Sequence, residues 1–182
     1  VVATVSGASV SFGTPVVFES ASSFYTAATF DSNANKVVIS YRDNGNSSYG
    51  TAIVGTVSGT GISFGSPVVF NSASTEYTGA TFDSNSNKVV IAYSDQGNSS
   101  HGTAIVGTVS GTGISFGSEA VFENAQTSFI RADSIIFDSN ANKVVIAYAD
   151  KDNSYYGTAI VGTVSSTSIS FGSAVVFESA RI

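Results

Sequence analysis

The sequence predicts an all-β chain made of tandem four-stranded antiparallel units. Three observations predict it. The segment from Phe30 to Val38 returns from Phe82 and again from Phe137, at steps of 52 and 55 residues, and Thr51–Ser58 returns at Thr103 and Thr158 with the same steps. A fixed period of this size marks one supersecondary unit copied along the chain. The apolar residues are Val, Ile, Ala, Phe and Tyr, with no Leu, Met, Cys or Trp. β-branched and aromatic side chains suit a pleated surface, while the good helix formers Leu and Met are missing. Asn, Asp, Ser and Gly clusters punctuate the apolar runs, as turn chemistry requires.

The elements follow in order in the copy from Tyr77 to Phe122. Residues 77–82 read as a strand of mostly small side chains. Asp83 to Asn87 form a turn, because Asx side chains mimic backbone hydrogen bonds and tolerate the left-handed region. Residues 88–93 form a second strand. A polar loop from Ser94 to Gly102 leads to a third strand over 103–109. Ser110-Gly111-Thr112-Gly113 is a tight hairpin turn. Residues 114–122 form a fourth strand, interrupted at Gly117 where a bulge fits.

Four short antiparallel strands in about 50 residues is the content of one β-propeller blade. The small-residue strand belongs nearest a crowded axis, the Phe- and Val-rich strand outermost, and residues 71–76 cross back to the next inner strand. The strand-turn-strand run from Ala80 to Asp95 resembles the first hairpin of NHL-type propeller blades, though without the usual blade Trp. The whole chain resembles the near-identical tandem repeats of long surface and phage-associated proteins. The resemblance implies a propeller-like fold and an extracellular, cell-surface or virion setting, while near-identical copies, an acidic balance and the lack of a catalytic set point to a non-enzymatic scaffold.

The outer hairpin recurs four times (near residues 2–18, 51–70, 103–122 and 158–177) and the inner hairpin three times (near 25–41, 77–93 and 129–148). The expected organisation is one repeat domain over 1–182: a half unit over 1–23 and units over 24–75, 76–127 and 128–182. About three and a half blades do not close a ring. Completion by copies of the chain, by further repeats, or an open stack are the expected resolutions. The absence of Met marks the chain as a processed product or a piece of a longer one.

Composition narrows function. The net charge is −6 with 7 Lys+Arg, so no clustered cations await a polyanion, and no nucleic-acid partner is expected. No apolar run reaches the ~18 residues of a membrane helix. Without Cys there is no disulfide, thiolate ligand or cysteine nucleophile.

Four features are candidate sites. Asp31, Asn33 and Asn35 follow D-x-N-x-N, repeated as Asp83, Asn85, Asn87 and as Asp138, Asn140, Asn142. Alternate carboxylate and amide oxygens are how calcium loops open. Lys36 stands where such a loop needs Gly and no Glu closes it, so an Asx-stabilised hairpin turn is the competing reading. Calcium is the only cofactor the sequence raises.

The second loop carries Asp43 and Asn46, repeated as Asp95 and Asn98 and as Asp150 and Asn153. It resembles the Asp-box of sialidase-type propellers, with the aromatic out of register and Asp152 in place of Gly. Together with Tyr49, His101 and Tyr156 at matching places, these residues form a candidate shallow saccharide site, one per unit. A structural loop is the competing reading. His101 replaces a Tyr and lacks a triad's repeat, so it reads as an aromatic-slot filler. Arg131 and Asp133 lie where the third unit departs from the others, and are candidate ligand contacts or a plain surface pair. Asn46-Ser47-Ser48 and Asn98-Ser99-Ser100 match glycosylation acceptors.

The expected function is a non-enzymatic structural or binding repeat module. A multivalent carbohydrate-binding propeller is the alternative, with avidity from linked weak sites. A sialidase-like glycoside hydrolase is a lesser one, since that chemistry needs an arginine cluster and the chain has only Arg42, Arg131 and Arg181.

Overall fold

The computed structural model describes residues 1–128, 130 and 133–181. Among them the chain is all-β and antiparallel, with sixteen strands and a single 3-10 turn at Gln96–Asn98. A two-stranded hairpin, β1 (Ala3–Ser6) and β2 (Ser9–Phe12), stands at the start. The first full sheet contains β3 (Ser23–Asp31), β4 (Lys36–Asp43), β5 (Tyr49–Ser58), β6 (Gly61–Phe64) and the first half of β7 (Val68–Asp83). The middle sheet takes the second half of β7 and adds β8 (Lys88–Asp95), β9 (His101–Ser110), β10 (Gly113–Phe116) and most of β11 (Ala120–Ser128). The last sheet contains β12 (Ile135–Asp138), β13 (Lys143–Asp150), β14 (Tyr156–Ser165), β15 (Ser168–Phe171) and β16 (Val175–Arg181).

Each expected strand of the copy from Tyr77 to Phe122 forms. The interruption expected at Gly117 is real: β10 and the start of β11 line the same edge of β9, with Phe116 opposite Gly107 and Ala120 opposite Ala104. The unit boundary is not a loop. β7 pairs with β5 up to Ser74 and with β8 from Thr75, so one strand hands the chain from sheet to sheet. β11 does the same, leaving β9 at Gln126 and meeting β13 at Thr127. The small-residue strands sit side by side, Tyr25 against Tyr77 with ring centroids 5.0 Å apart and the Thr78 hydroxyl donating to the Tyr25 carbonyl.

Alternation decides what each face meets, because successive side chains of a strand point to opposite faces. From β8, Val89, Ile91 and Tyr93 pack with Val38, Ala52, Val54 and Phe70 of the first sheet. From the same strand, Val90 and Ala92 pack with Val144, Ile146 and Tyr148 of the last. The middle sheet is therefore covered on both faces, which is why its strands read as continuous apolar runs. The rings of Phe18, Phe70 and Phe122 carry the same packing from unit to unit, lying 5.2, 5.1 and 5.2 Å from Tyr41, Tyr93 and Tyr148.

Two expectations are corrected. The third inner strand, expected from residue 129, is described over Ile135–Asp138, with Asp133 in an exposed turn before it; residues 129, 131 and 132 lie outside the described residues. In the half unit, only Ala3–Ser6 and Ser9–Phe12 pair. Val68 and Val69 of the next unit pair with Ala52 and Thr51, whereas Val16 and Val17, at the same places, form no ladder.

Candidate functional site

The loops joining β4 to β5, β8 to β9 and β13 to β14 gather at one end of the molecule. The crossing segments tie them together. Thr75 N–H donates to the Ser48 carbonyl at 3.0 Å, Thr127 N–H to the Ser100 carbonyl at 3.0 Å, and Lys151 N–H to the Gln126 carbonyl at 3.0 Å. The structure thus aligns Asp43, Asn46 and Tyr49 with Asp95, Asn98 and His101 and with Asp150, Asn153 and Tyr156, one set per sheet.

Within each loop the aspartate has a local task. Asp43 Oδ1 accepts from the N–H groups of Gly45 and Asn46 at 2.9 and 3.1 Å. Asp150 Oδ1 accepts likewise from Asp152 and Asn153 at 3.1 and 3.2 Å. Asp95 Oδ1 accepts from Gly97 N–H at 2.9 Å and from the Asn71 amide at 3.0 Å, which joins it to the preceding crossing segment. Asp43 and Asp95 are buried. Two consecutive residues per loop take positive φ (Ser47 and Ser48 at 56° and 62°, Ser99 and Ser100 at 56° and 62°, Ser154 and Tyr155 at 57° and 62°). The carboxylate stabilises this strained turn by supplying acceptors to its inward N–H groups.

What remains for a ligand is the outer rim. Asn46, Asn98 and Asn153 are exposed, and Tyr49, His101 and Tyr156 are half-buried beside them. An amide with a partly open aromatic face is the equipment of a shallow saccharide contact, and it recurs three times along one edge. Arg42 sits near this rim, paired with Glu76 at 3.5 Å, and the Arg181 guanidinium stacks 4.3 Å over the Tyr155 ring. Asp133 is exposed, and Arg131 lies outside the described residues.

The D-x-N-x-N turns occupy the opposite end of the strands. Asp31 Oδ1 accepts from Asn33 and Ala34 N–H at 2.9 and 2.8 Å, and Asp83 Oδ1 from Asn85 and Ser86 N–H at 2.9 and 3.0 Å. Asp138 repeats this with Asn140 and Ala141 at 2.9 and 3.2 Å. Asn35, Asn87 and Asn142 close the turns in the left-handed region at 54°, 55° and 54°. Among the described residues, no three acidic or histidine side chains converge as metal ligands would.

Several structural positions of these units carry no sequence motif. Tyr41, Tyr93 and Tyr148 are buried, and their hydroxyls donate to Glu19, Glu119 and Glu123 at 3.4, 2.6 and 2.9 Å. Burial first, and then the neighbouring carboxylates, push these phenols up from their usual 10.0. Tyr25 and Tyr77 hold positive φ of 50° and 53° inside bulges of β3 and β7. Tyr recurs at these places in the sequence, but Glu119 does not stand at the repeat place of Glu19 and Glu123, so which Glu a Tyr meets depends on stacking between sheets.

No protein-family model matches the chain, and no curated protein matches it.

Proposed function

We propose that the chain is a non-enzymatic structural repeat module of an extracellular or virion-associated protein, its four-stranded units arranged as propeller-like blades of the NHL type. One observation carries this reading. The recurrent aspartates of both loop families are occupied in holding turns, and Asn71 ties one loop to the unit before it. Such loops are architecture copied with the unit. The rim of Asn46, Asn98 and Asn153 beside Tyr49, His101 and Tyr156 supports a second reading, a multivalent carbohydrate binder whose weak sites gain effective concentration by being linked.

A glycan array probed with the intact chain, run beside a panel of chromogenic glycosides, separates the two. Silence on both is the outcome for a scaffold. Retention of one glycan class, weakened stepwise by Asn46→Ala, Asn98→Ala and Asn153→Ala, is the outcome for the binder. Turnover of a glycoside would overturn both.

A further inference from the structure

Among the described residues one contact is built three times, and its two halves stand unmatched in the β1–β2 hairpin and around Gly172. The contact is a turn entering a notch. Gly13, Gly65 and Gly117 each lie so close to the carbonyl oxygens of Thr60, Thr112 and Thr167, at the hairpin tips of the following units, that a Cβ on any of them would overlap that oxygen. Each glycine is held alike, its N–H donating to the carbonyls of Val2, Val54 and Val106 at 2.9 Å. Gly172 is the fourth of the series and is built the same way, donating to Val161 at 3.0 Å. Its notch is open: the nearest atom to a Cβ there is the chain's own Val161 carbonyl oxygen, at 3.9 Å.

The faces around the notch match this pattern. Val54 and Val106 are fully buried by the next unit, whereas Val161, at the same place, is 45% exposed. Phe70 and Phe122 are 6% and 8% exposed, and Phe177 is 61% exposed. At the other end, Val5, Val10 and Phe12 stand at the places of Val109, Ile114 and Phe116, which in the middle sheet join the cluster of Val54 and Phe70 of the first sheet, yet all three are exposed. The turn between them carries Ala8 at the place of Thr60, Thr112 and Thr167.

We propose that two copies of this chain join head to tail, the β1–β2 hairpin of one seating on the β14–β16 face of the other with its Ala8 turn in the Gly172 notch. The partner is a second copy because one chain carries both halves of an interface it already forms internally. A surface that meets a different surface on an identical partner gives a heterologous contact that extends from copy to copy. The hairpin covers the outer half of that face, the half that β14, β15 and β16 present. This inference is independent of the glycan reading, because the joined surfaces lie away from the loop rim.

Sedimentation of the intact chain over rising concentration tests it. The wild type is expected to grow from one mass to multiples of it. Gly172→Val (no neighbouring atom to displace) and Phe12→Asp (an exposed side chain) are each expected to stay monomeric, with melting temperatures unchanged. Mixed one to one, the two variants are expected to give a dimer and nothing larger, since each retains the half the other lost. A wild type that stays monomeric, a Gly172→Val variant that still associates, or a mixture that stays monomeric would each overturn the proposal. The chain has no Cys, so the double variant Ala8→Cys, Gly172→Cys reads the contact directly. Oxidation is expected to give a ladder on a non-reducing gel; a cross-link confined to the monomer would mean closure of a ring within one chain, and would also overturn it.

Discussion

The middle and last sheets have nearly the same sequence and differ in what covers them. Val90, Ala104 and Val106 of the middle sheet are fully buried, against Val144, Ile146 and Tyr148 of the unit that follows. Their counterparts Val145, Ala159 and Val161 are half-buried or exposed. The difference teaches that burial here belongs to a position in the stack rather than to a residue. A unit supplies two apolar faces, and only a neighbour on each side uses both.

The sharpest way to break this comparison is to truncate the same ring in two places. Phe122 covers Gly102 and stacks on Tyr148 and Phe171, at centroid distances of 5.2 and 5.6 Å. Phe122→Ala is expected to cost about 4 kcal/mol in chemical denaturation. Phe177→Ala, measured at dilution, is expected to cost under about 1 kcal/mol, the range of a surface change. Equal losses would mean that the outer face of the last sheet is covered in solution even in the dilute chain.

The notch gives the second test. Gly117→Val drives a side chain into the Thr167 carbonyl, a backbone atom that cannot rotate away, and is expected to cost about 3 kcal/mol. Gly172→Val meets nothing in the monomer and is expected to leave its thermal midpoint in place. A comparable loss at both sites would show that glycine is needed for backbone conformation and not for the approach of the next unit.

Much of the fold was legible because the unit is local. Lys88–Asp95 and His101–Ser110 show β-branched residues bounded by Asx and Gly turns, and the pairing of neighbours in sequence follows from short connections. What was not legible depends on the next unit. Nothing in Gly13 or Gly65 by itself says that a Thr carbonyl presses on it, since the glycine's partner is about 47 residues away in another sheet. That β7 serves two sheets was hidden for the same reason: Ser74 and Thr75 look alike in sequence and pair on opposite sides of the boundary. Of the candidate site, the loop positions were readable from their period. That Asp43, Asp95 and Asp150 serve structural loops was readable from turn chemistry, whereas the bond from the Asn71 amide to Asp95 was not, because it crosses from one unit to the next.

Alkaline titration asks whether coverage belongs to a sheet or to a face. Tyr148 lies in the last sheet but on the face that meets the middle one, and it is as buried as Tyr93. Both phenols are raised above 10.0, by burial first and then by Glu123 or Glu119. The folded state therefore keeps protons that the unfolded chain releases near pH 10. Stability from these groups is complete below that pH and falls above it, by about 1.4 kcal/mol per pH unit for each tyrosine. Tyr93→Phe and Tyr148→Phe are each expected to remove one such share from the slope of unfolding free energy above pH 10. A share lost at Tyr93 alone would show that the last sheet is loosely held even on its inner face.

The smallest expected difference concerns the D-x-N-x-N turns. Asp83, in the middle sheet, is buried and accepts the Ser86 hydroxyl at 2.7 Å as well as two N–H groups. Asp138, in the last sheet, is exposed and, among the described residues, accepts from two N–H groups. Removing a buried acceptor leaves donors without partners, so Asp83→Ala is expected to cost about 1 kcal/mol and Asp138→Ala about half of that. Calcium enters here as a competitor for the same oxygens. An Asx turn aims Oδ1 at its own backbone, so adding calcium or EDTA is expected to leave the melting temperatures of the wild type and of both variants unmoved. A calcium-dependent rise in the wild type that disappears in Asp83→Ala would show that the turn opens to bind the ion, and would make these loops sites instead of hinges between strands.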